Sequence, residues 1–286
     1  MDETKARLYQ NIIDYYNIRC ESFLSGANRE TLAMHAGFTD ESAQEFIDTL
    51  TNMNRVLADW AGIRAGEKIL DAGCGVGGSA IWLAKNRGAQ VTGISIVERQ
   101  LEYARRFALE DHVEGLADFS AGDFLATPFK AESFDVVWAI ESVCYAMDKK
   151  GFVREARRIL KPGGRLIVAD GFQTTRELPA QDQALMDSWL SAWVVPELAT
   201  PEQFFFYLRE EKFTSIRFED VTRNVMPFSI RLFQDAIVYS AKEKHIDDLS
   251  LLTPSDLDDI RGTRDQLVSL STGLWVYGIF CGVKPS

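Results

Sequence analysis

The stretch KILDAGCGVGGSAIWLAKNRG, residues 68–88, passes from a short apolar segment through a glycine-rich loop into a segment of helical spacing that stops at Gly88. Residues 68–73 read as a buried strand, and residues 79–88 read as a helix with a glycine stop. Between them, Gly73, Gly75 and Gly77 permit a tight turn and let a ligand approach the backbone closely. A glycine loop of this kind is shared by many nucleotide binders, so it sets a class of site but not a ligand. No Gly-Lys-Ser/Thr follows, which excludes a phosphate-gripping P-loop.

Downstream, the same alternation repeats. Residues 90–96, 119–123, 134–141 and 165–172 read as strands, with helices predicted over 99–110 and 150–160. The run at 134–141 is apolar enough to be buried on both faces, as in a parallel sheet. Further strands are predicted at 215–221 and 273–283, which makes seven in all. The expected fold is α/β: a Rossmann-like, doubly wound, mostly parallel seven-stranded sheet. Residues 1–65 read as an N-terminal helical cap on a core of residues 66–286, with helical lid insertions at about 175–212 and 228–270.

Composition narrows the function classes. The chain has 286 residues, is 46% hydrophobic and carries a formal charge of -11, with no basic cluster. That balance disfavours nucleic acid and anionic membrane surfaces as partners. No apolar run suffices for a membrane span, and the polar, acidic N-terminus is not a signal peptide. Cys20, Cys74, Cys144 and Cys281 lack CxxC spacing, and His35, His112 and His245 form no ligand pattern with them. The expectation is a reduced, cytoplasmic protein without a structural metal.

Taken in order, ILDAGCGVGGSAIWLA (69–84), AGDFLATPFKAESFDVVWAIES (121–142) and FVREARRILKPGGRLIV (152–168) resemble the successive motifs of class I S-adenosylmethionine-dependent methyltransferases. The resemblance implies S-adenosyl-L-methionine as cofactor, with S-adenosyl-L-homocysteine as its product. It implies that Gly73, Gly75 and Gly77 wrap the methionine part, that Asp71 anchors the loop, that Asp123 holds the adenine amino group, and that Phe124 lies against the adenine face. Position 95 carries serine where the general family has an acidic ribose contact. TGISIVERQ (92–100) resembles instead the branch of tocopherol, sterol-like and prenyl C-methyltransferases, in which Ser95, Ile96 and Gln100 would serve the adenosine. Tyr16 and Ala139 complete the cofactor set expected from the resemblance.

In the same branch, a Glu-Ser-x-x-Tyr pattern follows the fourth strand, and ESVCYAMD (141–148) resembles it at Glu141, Ser142 and Tyr145. His35, in LAMHAGF (32–38), resembles a cap histidine. The resemblance implies C-methylation of an isoprenoid double bond, which leaves a carbocation. Aromatic faces would stabilise that cation, and Glu141 would take its proton, with Tyr145 and His35 assisting. Trp189 and Trp193, four residues apart, with Phe205 and Phe206 in FFFYL (204–208), are the expected substrate-pocket aromatics. Tyr9, Tyr15, Tyr16, Phe23 and Phe38 add aromatic surface from the cap. The expected partner is a small hydrophobic substrate. Mg²⁺ enters only if that substrate is a diphosphate, which the scattered Arg19, Arg29, Arg176, Arg223 and Arg231 do not favour. Methylation of an amine, phenol or alkaloid is the alternative, with Glu141 as substrate grip. A non-catalytic cofactor-binding paralogue is the second alternative, and homo-oligomerisation is left open.

Overall fold

The computed structural model describes residues 3–24, 26–243 and 254–286. His245, part of the predicted 228–270 insertion and the side chain of Phe23 lie outside the described residues. The described chain builds one seven-stranded sheet in the order β3-β2-β1-β4-β5-β7-β6. Its strands are β1 (Lys68–Ala72), β2 (Gln90–Ser95), β3 (Ala117–Ala121), β4 (Phe134–Ile140), β5 (Leu160–Gln173), β6 (Thr214–Asp220) and β7 (Trp275–Val283). The first five run parallel, and β7 pairs antiparallel with both β5 and β6.

Helices α4 (Gly78–Arg87), α5 (Glu98–Glu110) and α6 (Lys149–Ile159) make the crossovers between the parallel strands. Side chains alternate along β4. Val136, Trp138 and Ile140 join one buried cluster, while Val137 and Ala139 join the other on the opposite face. β5 starts earlier than residue 165: it begins at Leu160, directly after the helix of residues 149–159, and includes the KPGG segment, with Gly163 at φ +76°.

Before the sheet lie α1 (Glu3–Phe23), α2 (Gly26–Thr31) and α3 (Phe46–Ala61). α1 packs on α5, and α3 packs against α4, β5 and β7. After β5 come α7 (Ala180–Ala192) and α8 (Pro201–Glu210), and after β6 come α9 (Thr222–Glu243) and α10 (Pro254–Ser271). α7, α9 and α10 pack together as an insertion, whereas α8 packs on α6 and β6. The 175–212 segment is thus not all lid. Phe204 of α8 is fully buried against Phe172 and Phe280, so this helix covers the sheet. No helix among the described residues is long and apolar enough to cross a membrane.

Candidate active site

Strand order reverses between β1 and β4, and the loops leaving the carboxyl ends of the parallel strands open a crevice there, where ligands bind in sheets of this kind. The cleft holds about 940 Å³ of unfilled space, counting its open mouth. Asp71, Gly73, Gly75, Ser95, Ile96, Gln100, Asp123 and Phe124 line it from the sheet side, with Glu141 and Tyr145 beyond them. Tyr16 and His35 approach from the helical cap. The structure therefore brings most of the predicted cofactor and catalytic residues into one cavity.

The glycine loop is shaped as its composition requires. Gly73 sits at φ +93°, and a Cβ there would stand 2.4 Å from Ser142 Cβ. Asp71, at the end of β1, is buried, and its Oδ2 has no hydrogen-bond partner. Burial pushes its carboxyl up to about 7, against one opposing bond from the Ala80 N–H. A buried, half-satisfied carboxylate beside a backbone cradle fits a ligand that brings its own positive charge and donors. S-adenosylmethionine carries a sulfonium and an ammonium, so the residues present suit it. At the other end, Ser95 Oγ donates to Gln100 Oε1 at 2.9 Å and accepts the Val97 N–H at 3.1 Å, a neutral polar pair where an acidic ribose contact is missing.

Asp123 stands two residues past the end of β3. Its Oδ1 accepts the Leu125 N–H, and its Oδ2 accepts from Lys5 Nζ at 3.0 Å and from the Tyr9 hydroxyl at 2.7 Å. The expected adenine acceptor is therefore also the anchor of α1. Sequence alone singled out neither of those two partners for it. Phe124 meets Phe152 edge to face at 5.5 Å, which sets its ring at the cleft wall.

The acceptor end is built around β4. Glu141 follows the last strand residue at φ +47° and donates its N–H to Ala169 O. Its Oε1 accepts the Ala36 N–H at 2.6 Å and the Tyr277 hydroxyl at 2.9 Å. Burial first, and the nearby Asp170 carboxylate second among the raising causes, push its carboxyl up to about 7. Asp170, itself pushed up to about 6 by burial, accepts the N–H groups of Cys144 and Gly171. Lys149 donates to the carbonyls of Cys144, Ala146 and Glu197, which fixes the turn Val143–Tyr145. Tyr145 reaches from that turn to Trp193 O at 3.1 Å and to the Tyr16 hydroxyl at 3.0 Å.

His35 is buried. Its Nδ1 lies 3.0 Å from Ala36 O, which can only accept, so Nδ1 carries the hydrogen. Nε2 has no partner, and burial holds the ring's pKa below 6.5. The imidazole is therefore neutral at pH 7 with an uncommitted lone pair on Nε2.

Six expected residues lie elsewhere. Ala139 points into the core across the sheet, and its neighbour Ile140 lines the cleft instead, because alternate strand residues face opposite ways. A Cβ on Gly77 would meet Phe119 and Ala104 within 3 Å, so that glycine serves the packing of α4 rather than the ligand. Trp189 is buried between Trp193 and Trp275. Phe205 packs against the cluster under α8, and Phe206 is 55% exposed. Neither of these phenylalanines reaches the cleft, since α8 lies on the sheet and not over the site. Trp193 meets the cleft only through its backbone carbonyl on Tyr145. Tyr277 was not foreseen; its signal is a lone hydroxyl in the otherwise apolar final strand. Among the described residues, no group of three or more His, Cys, Asp or Glu side chains could hold a metal.

A family model described as a methyltransferase domain matches residues 70–168. The 27-O-demethylrifamycin SV methyltransferase of Amycolatopsis mediterranei (strain S699) is 39% identical over 137 residues, covering 48% of this chain and 50% of that one. The chain spans about half the length of the curated relatives it matches first. The O-methyltransferase resE of Aspergillus sclerotiorum is 30% identical over 196 residues, covering 68% of this chain and 73% of that protein. Geranyl diphosphate C-methyltransferase from Streptomyces coelicolor A3(2), solved with Mg²⁺, geranyl diphosphate and S-adenosyl-L-homocysteine, shares the fold at a TM-score of 0.72 and 19% identity, over 97% of each chain. With the glycine cradle, the buried Asp71 and the β1/β4 crevice in place, the chain belongs to the class I S-adenosylmethionine-dependent methyltransferases.

Proposed function

We propose that this enzyme methylates a hydroxyl group of a neutral, hydrophobic small molecule, with His35 as general base. The observation that carries the reading is a neutral, buried histidine that lines the cleft and whose Nε2 has no hydrogen-bond partner. S-adenosylmethionine, when bound, supplies an electrophilic methyl group. As the new O–CH₃ bond forms and the S–CH₃ bond breaks to leave S-adenosylhomocysteine, the hydroxyl proton would pass to His35 Nε2, which burial keeps unprotonated and able to receive it. Tyr16 and Tyr145, joined at 3.0 Å, wall the acceptor end and limit water there. Alignment in such a site can supply roughly 7–11 kcal/mol of the barrier.

Charge supports a neutral acceptor. Asp71, Asp123 and Glu141 line the cleft, and among the described residues no lysine or arginine does. A diphosphate would enter that acidic cleft without a cationic partner. Three relatives are named O-methyltransferases and a fourth acts on 27-O-demethylrifamycin SV, which supports the same reading, against two named sterol 24-C-methyltransferases.

C-methylation of a prenyl double bond is the second reading, favoured by a half-buried carboxylate, Glu141, at the same cleft as the rings of Tyr16 and Tyr145. The two are separated by incubating the protein with S-adenosylmethionine labelled with ¹³C on the methyl group. Neutral hydroxylated macrocycles and phenols, prenylated alkenes, and prenyl diphosphates with Mg²⁺ serve as acceptors. The expected product carries the label on oxygen of a neutral acceptor. Label on carbon, or turnover confined to diphosphates, overturns the O-methylation reading.

A further inference from the structure

Glu141 stands in an unusual backbone state for a residue with a side chain. At φ +47° it lies in the left-handed region, which costs a non-glycine residue energy and persists only where surrounding bonds over-determine it. Three bonds do so: the N–H to Ala169 O at 2.9 Å, and the two bonds onto Oε1 from the Ala36 N–H and the Tyr277 hydroxyl. Both side-chain bonds converge on one oxygen, and both ask it only to accept.

The residue gripped by that oxygen is the one that sets the histidine. Ala36 gives its N–H to Glu141 and takes the His35 Nδ1–H on its carbonyl. A continuous chain thus runs from Tyr277 on β7 to Glu141 after β4, on to Ala36 in the segment between α2 and α3, and back to the imidazole. The sheet carries this chain's rigid end, and the cap carries its catalytic end.

We infer that Glu141 and Tyr277 are positioning residues, which clasp the cap segment at Ala36 and thereby hold His35 with its hydrogen on Nδ1 and its Nε2 bare. The inference rests on the reading of His35 as base, and it gives Glu141 a role distinct from quenching a cation or gripping an ammonium. Those roles need a negative charge at Glu141. The clasp needs only an sp² oxygen at the place of Oε1.

That difference makes Glu141→Gln decisive. The amide oxygen of glutamine can accept both the Ala36 N–H and the Tyr277 hydroxyl, so this variant should keep kcat within about 3-fold of wild type. Glu141→Ala removes the acceptor and should lower kcat about 10- to 100-fold with little change in KM for the cofactor, as a misplaced catalytic group does. Tyr277→Phe, which leaves Ala36 gripped, should fall between the two. ¹⁵N spectra of His35 should show the Nδ1–H tautomer in wild type and Glu141→Gln, and exchange between tautomers in Glu141→Ala. If Glu141→Gln is as impaired as Glu141→Ala, the charge is what matters and the clasp is overturned. Should Glu141→Ala misfold, partial exchange between the tautomers in Tyr277→Phe supports the clasp, and a tautomer population identical to wild type there counts against it. The spectra read the clasp without any turnover, whereas full activity in His35→Ala would remove the base reading alone.

Discussion

Replacing Gly73 by alanine puts a methyl carbon 2.4 Å from Ser142 Cβ and 3.1 Å from its Oγ. Ser142 cannot easily retreat, since it is buried and its hydroxyl is tied to Ala72 O at 2.6 Å. The backbone adds a second cost, because φ at Gly73 is +93°. Strain of about 1–3 kcal/mol and overpacking of about 1–3 kcal/mol sum to roughly 2–6 kcal/mol. At about 2–4 °C per kcal/mol for a chain of this order of size, Tm should fall by roughly 4–24 °C. Gly75→Ala is the matched control. Its φ is +52°, and the new methyl would meet only the flexible Met34 Sδ, at 3.3 Å, with the cleft otherwise open around it. Left-handed strain of about 1–2 kcal/mol should cost only a few degrees. That methyl occupies ligand space, however, so S-adenosylhomocysteine should bind at least about tenfold more weakly, or 1.4 kcal/mol. Differential scanning calorimetry and titration calorimetry on both variants separate the two effects. Wild-type Tm in Gly73→Ala, or undiminished binding in Gly75→Ala, would refute the cradle geometry.

The relocated aromatics give a second test. Trp189→Ala should cost about 3–5 kcal/mol of stability, whereas Phe206→Ser should change stability by no more than about 0.5 kcal/mol and leave turnover alone; lost turnover in Phe206→Ser would return α8 to the site. Asp71, Glu141 and Asp170 have folded-state carboxyls raised from 3.8, 4.5 and 3.8 to about 7, 7 and 6. The folded protein therefore holds protons that the unfolded chain has released, and ligand-free stability should decline as pH rises from about 4.5 to 7, seen as a falling denaturant midpoint. A midpoint that climbs steadily across that window would contradict the burial of these groups. Tyr9→Phe removes a bond to Asp123 and should speed amide hydrogen exchange within α1 while leaving the sheet unchanged; uniform exchange rates would show that α1 does not depend on that anchor.

Much of the fold was legible because it is written locally. The strand at 68–73 and its glycine loop announce themselves by period and turn chemistry, and the predicted strands overlap the observed ones to within a few residues, apart from the early start of β5. Gly73, Gly75, Asp123 and Phe124 follow the ends of β1 and β3, and the roles expected of the cofactor-side residues came from the resemblance of these segments to methyltransferase motifs. What escaped was set by distance along the chain. Ala36 and Glu141 meet across 105 positions, and Tyr277 meets Glu141 across 136, with no local pattern to signal either contact. FFFYL shows an aromatic helix but not the layer it joins; Phe204 and Leu208, one turn apart, are buried and decide that α8 faces the sheet. The role expected of Glu141 came from the residues beside it in sequence, whereas its side chain is committed to residues far from it.

The most direct test of His35 as the base is the single-turnover rate of methyl transfer at saturating S-adenosylmethionine, in wild type and His35→Ala, on an acceptor hydroxyl that wild type methylates. General-base removal predicts a rate about 10²–10⁴ lower, with S-adenosylhomocysteine affinity unchanged. A rate within about threefold of wild type, well short of what a general base contributes, would contradict it.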